Sequence, residues 1–261
     1  MLAKNTIKNQ KDTLSQEIIT KIINKVATSE NILEIHNVVL ILLGFSGFMR
    51  ISELLPLKVK HVNFTESGTK IYIEKSKVDQ LREGNTIFIS RLDSDNCPVY
   101  WLNRYLNLSF LTRNLENYIF SRLFKTKNGR KANGAYSISY TTALDSLSKH
   151  PPDSVDPRSF GTHSLRSGGA SAAANENVSD RLISKHGRWA SGRSRDRYIK
   201  NNKQKRFEIS KKLGLWNYRI FLPVTFCILA YPQENHQMLL KNLTDSFNVS
   251  ITTTIKHDHI V

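Results

Sequence analysis

At 261 residues the chain is long enough to bury one good core, or one domain with an appendage. Hydrophobic residues make up 39% and charged residues 23%, a globular composition that excludes an extended disordered chain. The net charge of +16 is uneven: from Ile220 onward Lys241 and Lys256 face Glu234, Asp245 and Asp258, a balance of −1, so residues 1–219 carry +17. Between Arg181 and Lys212 twelve Lys/Arg stand against only Asp196 and Glu208, a local +10. Such a density attracts a polyanion, nucleic acid being the usual one, while a solvated basic face or a contact for an acidic protein is the simpler alternative. Cys97 and Cys227 are too few for a disulfide framework or a zinc site. The opening MLAKNTIKNQKD lacks the apolar core of a signal peptide, and the apolar run Ile220–Tyr231 is short for a bilayer span and broken by Pro223. The expectation is an intracellular protein with no membrane partner.

Residues 1–13 are polar and expected to fray. Ser15 can cap a helix in which Ile18, Ile19, Ile22, Ile23 and Val26 keep one apolar face. Ile32–Leu43 is apolar almost all round and belongs in a core. Gly44 and Gly47 then break the chain, and Arg50 falls at the start of a short helix stopped by Pro56. An arginine among Phe45, Phe48, Met49, Leu54 and Leu55 needs a partner. Either Glu53 supplies it or an anion in a cleft does.

Residues 69–90 read as a hairpin, since Lys70–Glu74 and Asn85–Ser90 both alternate apolar and polar residues. The connecting segment holds Lys75, Lys77 and Arg82, with Gly84 suited to the turn. Its charge either keeps an exposed tip soluble or places a lysine over a ligand. Pro98 starts a helix through Leu108. A strand-like 118–120 precedes a basic loop with Lys125, Lys127 and Arg130, which is either a DNA-backbone contact or a solvated turn. Tyr136–Lys149 reads as a helix ended by Pro151-Pro152, and a linker follows.

The stretch from His163 to Tyr198 is the densest in groups suited to phosphate. Thr162 or Ser164 can cap a helix starting near His163, and Gly168, Gly169, Ala170 and Ala172 to Ala174 make it slim. His163 and Arg166, three apart, share a face at a helix start, where amide N–H groups also favour an anion. A second helix, Val178–Lys185, closes on HGRW, and a third carries Tyr198 among Arg195, Arg197 and Lys200. By themselves these residues support nucleic-acid binding and no more. No carboxylate cluster suited to Mg²⁺ lies beside them, which weakens a metal-nuclease reading.

Taken in order, GFSGFMRISELL, EKSKVDQ, THSLRSGG and KHGRW…RDRY resemble the tyrosine recombinase (phage-integrase-like) family over about Ile32 to Leu213. In style they are closest to recombinases of eukaryotic mobile elements of the Crypton or DIRS kind. The resemblance implies the integrase catalytic-domain fold, mainly α with a small antiparallel β-sheet. It implies a catalytic domain over 32–215. Two features depart from the family pattern: a short N-terminal segment, 1–31, is expected where members usually carry a separate DNA-binding arm, and the tail, 216–261, is expected either to pack on a neighbouring protomer or to be read-through from a decayed element.

The resemblance also assigns roles. Arg50 and Arg166 would clamp the scissile phosphate, Lys77 (or Lys75) would protonate the leaving 5′ oxygen, and His163 would be the acid/base partner. Trp189 falls where the family uses His or Trp, and Tyr198 would be the nucleophile of a 3′-phosphotyrosyl link. Lys75, Arg82, Lys125, Lys127, Arg130, His186, Arg188, Arg193, Arg195, Arg197 and Lys200 would contact DNA, with His186 in a supporting place. No metal or cofactor is implied. The partners would be double-stranded DNA and further copies of the chain in a synaptic homo-oligomer, in the nucleus if the host is a eukaryote. The chemistry is coherent: two rigid guanidiniums suit the equatorial oxygens of a phosphoryl transition state, and a phenol of pKa about 10 needs cationic neighbours to attack. A relative that only binds DNA is the alternative, and a type IB topoisomerase stands further behind.

Overall fold

The structure is a computed structural model, and its described residues are 11–74, 84–127, 129–148, 156, 159–161, 163–200 and 211–213. The chain divides into two units, residues 1–206 and 207–261, and every element named below belongs to the first. Helix α1 (Gln16–Val26) begins where the Ser15 hydroxyl accepts from the Ile18 N–H at 3.4 Å, and it buries Ile19, Ile22, Ile23 and Val26. That isoleucine face lies in the main core, so packing holds α1 in place more than intrinsic propensity does. Of the segment 1–13 expected to fray, only 11–13 are described, and they are tied to the fold. The Asp12 N–H donates to the Ser159 carbonyl at 2.8 Å, and Leu14 is buried.

Helix α2 (Ile32–Ser46), capped by the Asn31 side chain at 3.0 Å from the Leu33 N–H, is the axis of the unit. Being apolar all round, it is buried on every side from Ile35 to Gly44. After Gly47 the chain makes a tight turn, with Phe48 at φ 46, into the single-turn helix α3 (Ile51–Leu54).

Strands β1 (Val62–Thr65), β2 (Gly68–Ile73) and β3 (Asn85–Ser90) form an antiparallel sheet in the order β1-β2-β3, with Ile71 opposite Ile87. Ile71, Ile73, Ile87 and Ile89 point into the core, while Lys70, Tyr72 and Phe88 face out. The predicted hairpin is present, and β1 joins its edge through a tight turn that pairs Thr65 with Gly68. Helix α4 (Pro98–Ser109) has proline in its first turn and ends at Phe110, φ 55.

The predicted basic loop is the tip of a second antiparallel ribbon, β4 (Ser121–Thr126) with β5 (Gly129–Ser137). The predicted helix therefore starts later, as α5 (Tyr140–Ser148). Bonds from distant parts of the chain hold residues 137–138 extended: Ser137 Oγ donates to the Leu55 carbonyl at 2.8 Å, and the Ile138 N–H to that of Phe120 at 2.9 Å. No local pattern reveals such partners.

Helices α6 (Ser164–Asn175), α7 (Asp180–Gly187) and α8 (Gly192–Asp196) complete the unit. A Cβ on Gly168 or Gly169 would collide with the carbonyls of Leu14 and Phe45, so the slim helix predicted here lies directly against the end of α2. Helix α7 begins at Asp180, not Val178, because Asn177 turns with φ 60 and Ser179 is the extended cap. Helix α8 stops before Tyr198, which lies in the turn beyond it. Among the described residues no helix is long and apolar enough to cross a membrane.

Candidate active site

Four turns or helix ends meet at one corner of the unit. The Gly47–Arg50 turn brings Phe48 and Arg50, the start of α6 brings His163, Arg166 and Ser167, the end of α7 brings His186, Arg188 and Trp189, and the turn after α8 brings Arg197 and Tyr198. A cavity of about 470 Å³ opens between them, lined by Lys11, Arg50, His163, Ser164, Ser167, Trp189, Ala190, Ser194, Arg197 and Tyr198.

Beneath it one carboxylate serves three guanidiniums. Glu53 is 2% exposed, and its Oε1 accepts from Arg50 Nη1 at 2.7 Å. Its Oε2 accepts from Arg188 Nη2 at 2.8 Å and from the Arg50 N–H at 2.9 Å, and lies 3.9 Å from Arg166 Nη1. Burial would raise the Glu53 carboxyl. The Arg188 charge, then the Arg50 N–H and guanidinium, outweigh it and hold the group below the usual carboxylate range. Both partners considered for Arg50 are therefore open to it, since it pairs with Glu53 and also lines the cavity.

Arg166 is fully buried. Its two terminal nitrogens donate to the carbonyls of Phe48 and Gly187, and its Nε has no partner among the described residues. The guanidinium stacks 4.3 Å from the Trp189 ring centre and 5.2 Å from that of Tyr198. Burial first, then the charges of Arg50 and Arg188, push it down to about 9, and it remains a cation at neutral pH. The cluster of three arginines and one glutamate thus keeps two positive charges uncompensated.

Tyr198 is half-buried, its ring 5.3 Å from that of Trp189 and 5.9 Å from that of His163. Its carbonyl accepts from Ser167 Oγ at 2.5 Å and Ser171 Oγ at 3.3 Å, both on α6, and the Lys200 N–H donates to Ser171 Oγ at 2.8 Å. His163 is exposed at the start of α6, and Trp189, 8% exposed, has an unpartnered Nε1 among the described residues. Lys75, Lys77 and Arg82 lie outside the described residues.

Of the residues expected to contact DNA, Lys125, Lys127, Arg193 and Arg197 are exposed and Arg130 is half-buried, while Lys200 is half-buried beside Lys11. Three are placed otherwise. Arg195 is bound to Asp180 and Asp196 at 2.9 and 2.7 Å. His186 donates from Nε2 to the Ser46 carbonyl at 2.8 Å, and burial pushes it down, keeping it neutral. Arg188, expected at a DNA backbone, is instead 8% exposed, with its guanidinium turned inward to Glu53. Its distant acceptors could not be read from sequence. Lys11 and the serine pair were also missed, although Ser167 and Ser171 are spaced to share a helical face.

The arrangement joins a phenol, an imidazole and an excess of buried guanidinium charge on one cavity, on a fold that is mainly helical with two small antiparallel sheets. That fold is the tyrosine recombinase catalytic domain. The solved structure of XerH recombinase in a post-cleavage complex with a palindromic difH substrate matches with a TM-score of 0.55 at 16% identity, over 79% of this chain and 53% of that one. XerA recombinase matches with a TM-score of 0.55 at 17% identity, over 76% and 64%. The sequence is 29% identical over 163 residues to an integrase/recombinase xerD homolog of Selenomonas ruminantium, spanning 61% of this chain but only 46% of that protein. The model of the phage integrase family matches residues 12–205, and the chain belongs to that family.

Proposed function

We propose that the chain cleaves and rejoins DNA strands through Tyr198. The phenol oxygen gives its proton to His163, attacks a backbone phosphorus and forms the 3′-phosphotyrosyl bond. The P–O bond to the 5′ oxygen breaks, and that oxygen takes up a proton. Rejoining is the reverse, so neither metal nor nucleotide is consumed. The observation that carries the reading is the placing of Tyr198, His163, Trp189 and Arg50 on one cavity above two uncompensated guanidinium charges. Arg50 and Arg166 are the phosphate clamp, His163 the acid/base group, and Trp189 Nε1 a donor to a phosphate oxygen. Lys77, or Lys75, is the proton donor to the leaving oxygen, on the sequence resemblance. Arg193, Arg197, Lys125, Lys127 and Arg130 hold the duplex backbone. The catalytic portion takes in α1 as well as 32–215, since α1 shares the core. A synaptic assembly of several copies, kinship with eukaryotic mobile-element recombinases, and a nuclear place of action are finer parts of the same proposal.

Offered nicked duplexes that trap the covalent state, the protein should form a denaturation-resistant adduct and Tyr198→Phe should form none. An adduct from the Phe variant, or none from the parent on any nicked duplex, overturns the nucleophile assignment. A DNA-binding relative without cleavage is the second reading. In its favour, Arg166 is covered by the Trp189 and Tyr198 rings, which must part before it can touch a phosphate. That reading expects salt-sensitive binding, indifferent to Tyr198→Phe, and no adduct.

A further inference from the structure

Arg188 has a conformation and a set of bonds that ordinary helix capping does not need. It ends α7 at φ 56, a region glycine enters most easily, yet it carries a long charged side chain. That side chain is folded back into the interior. Nη1 donates to the carbonyls of Gly47 and His186 at 3.2 and 2.7 Å, and Nη2 to that of Phe48 and to Glu53 Oε2 at 3.0 and 2.8 Å. Burying a guanidinium so completely is costly unless its charge is answered, and Glu53 answers it.

The geometry around Glu53 shows the consequence for its neighbours. Oε1 is taken by Arg50, and on Oε2 Arg188 stands at hydrogen-bonding distance while Arg166 is held off at 3.9 Å. Without Arg188, Oε2 would be left to Arg166, and two clamp cations would share one anion at bonding distance. With Arg188 present, Oε2 is occupied and the Arg166 charge is not drawn into a carboxylate bond. We infer that Arg188 is a positioning residue that neutralises Glu53, so that Arg50 and Arg166 present two net positive charges to a phosphate. It touches no substrate itself.

This rests on the phosphate-clamp reading above, and charge counting provides the test. The cluster carries +2 in the parent, +1 in Arg188→Met, and +2 again in Arg188→Met/Glu53→Gln. On a nicked duplex at saturating concentration, Arg188→Met should slow adduct formation on the order of 100-fold with a less than threefold change in duplex affinity. The double variant should recover at least tenfold of that loss, although it has lost more native bonds. Arg188→Lys, which keeps the charge, should stay within about tenfold of the parent. A double variant no faster than the single one, or a folded Arg188→Lys as slow as Arg188→Met, overturns the inference, with folding followed by circular dichroism. Should the parent form no adduct, the strand-cleavage reading fails, but Arg188 is still tested by inorganic phosphate, its binding followed by ³¹P line width. The order parent, then double, then Arg188→Met supports the inference, and equal binding by all three overturns it.

Discussion

Arg50 and Arg166 carry the same charge but stand differently toward the fold. Arg50 caps α3, with its side chain 14% exposed on the cavity wall, and its side-chain bonds run to Glu53 alone among the described residues. Arg166 is fully buried and supplies the donors for two carbonyls on separate segments, Phe48 and Gly187. Arg50→Ala should therefore abolish most adduct formation, by on the order of 100-fold, while the melting temperature changes by a few degrees at most. Arg166→Ala should lose the same activity and also about 2–4 kcal/mol of stability, because it leaves buried carbonyls without donors. Urea melts beside the adduct assay check both. Equal destabilisation by the two substitutions would refute the distinction.

At the scale of elements, α6 organises the corner. One face, made of small residues, lets it approach the end of α2, and its first turn holds His163 and Arg166. A little further along, Ser167 and Ser171 hold the carbonyl of Tyr198, which stands after a helix of only five residues. Such a short helix cannot place a phenol by itself, so the serine clamp does so. Ser167→Ala/Ser171→Ala should slow single-turnover adduct formation about tenfold and leave duplex affinity within twofold, since neither serine carries charge. A parallel fall in both would indicate a general loss of structure at α6.

Across the whole unit, His36 is a buried core group whose effect on stability has a definite sign. His36 on α2 is 2% exposed, bonded through Nδ1 to Asn37 at 3.1 Å and edged by Tyr105 and Phe120 at 5.5 and 5.6 Å. Burial pushes it down to about 4, against about 6.5 in an unfolded chain. Between those values the unfolded state takes up a proton that the folded state refuses, so the stability present above about pH 6.5 is lost as pH falls toward 4. The loss attributable to this residue is about 3 kcal/mol. Denaturant melts at pH 7.5 and 4.5 should show it, and His36→Leu should remove that share of the difference. An unchanged pH dependence in the variant would place the titration elsewhere.

The hydrophobic period, with Ser15 and Pro98 as helix starts, located α1, α2, the β2–β3 hairpin and α4, because those elements bury a face whose spacing is written locally. The ordered motifs likewise picked out Arg50, Arg166, Trp189 and Tyr198, which the fold does bring to one corner. What lay beyond the sequence depends on partners far away along the chain. The β4–β5 ribbon is set by pairings and long-range bonds that leave no alternating pattern in GRKANGAYS. Arg188 sits between basic residues that face solvent, and nothing local separates it from them. Only the tertiary structure turns it inward, because Glu53 and the carbonyls of Gly47 and Phe48 meet there. A pattern records which side of an element avoids water, and a buried charge is decided by whichever counter-charge the fold brings within bonding distance.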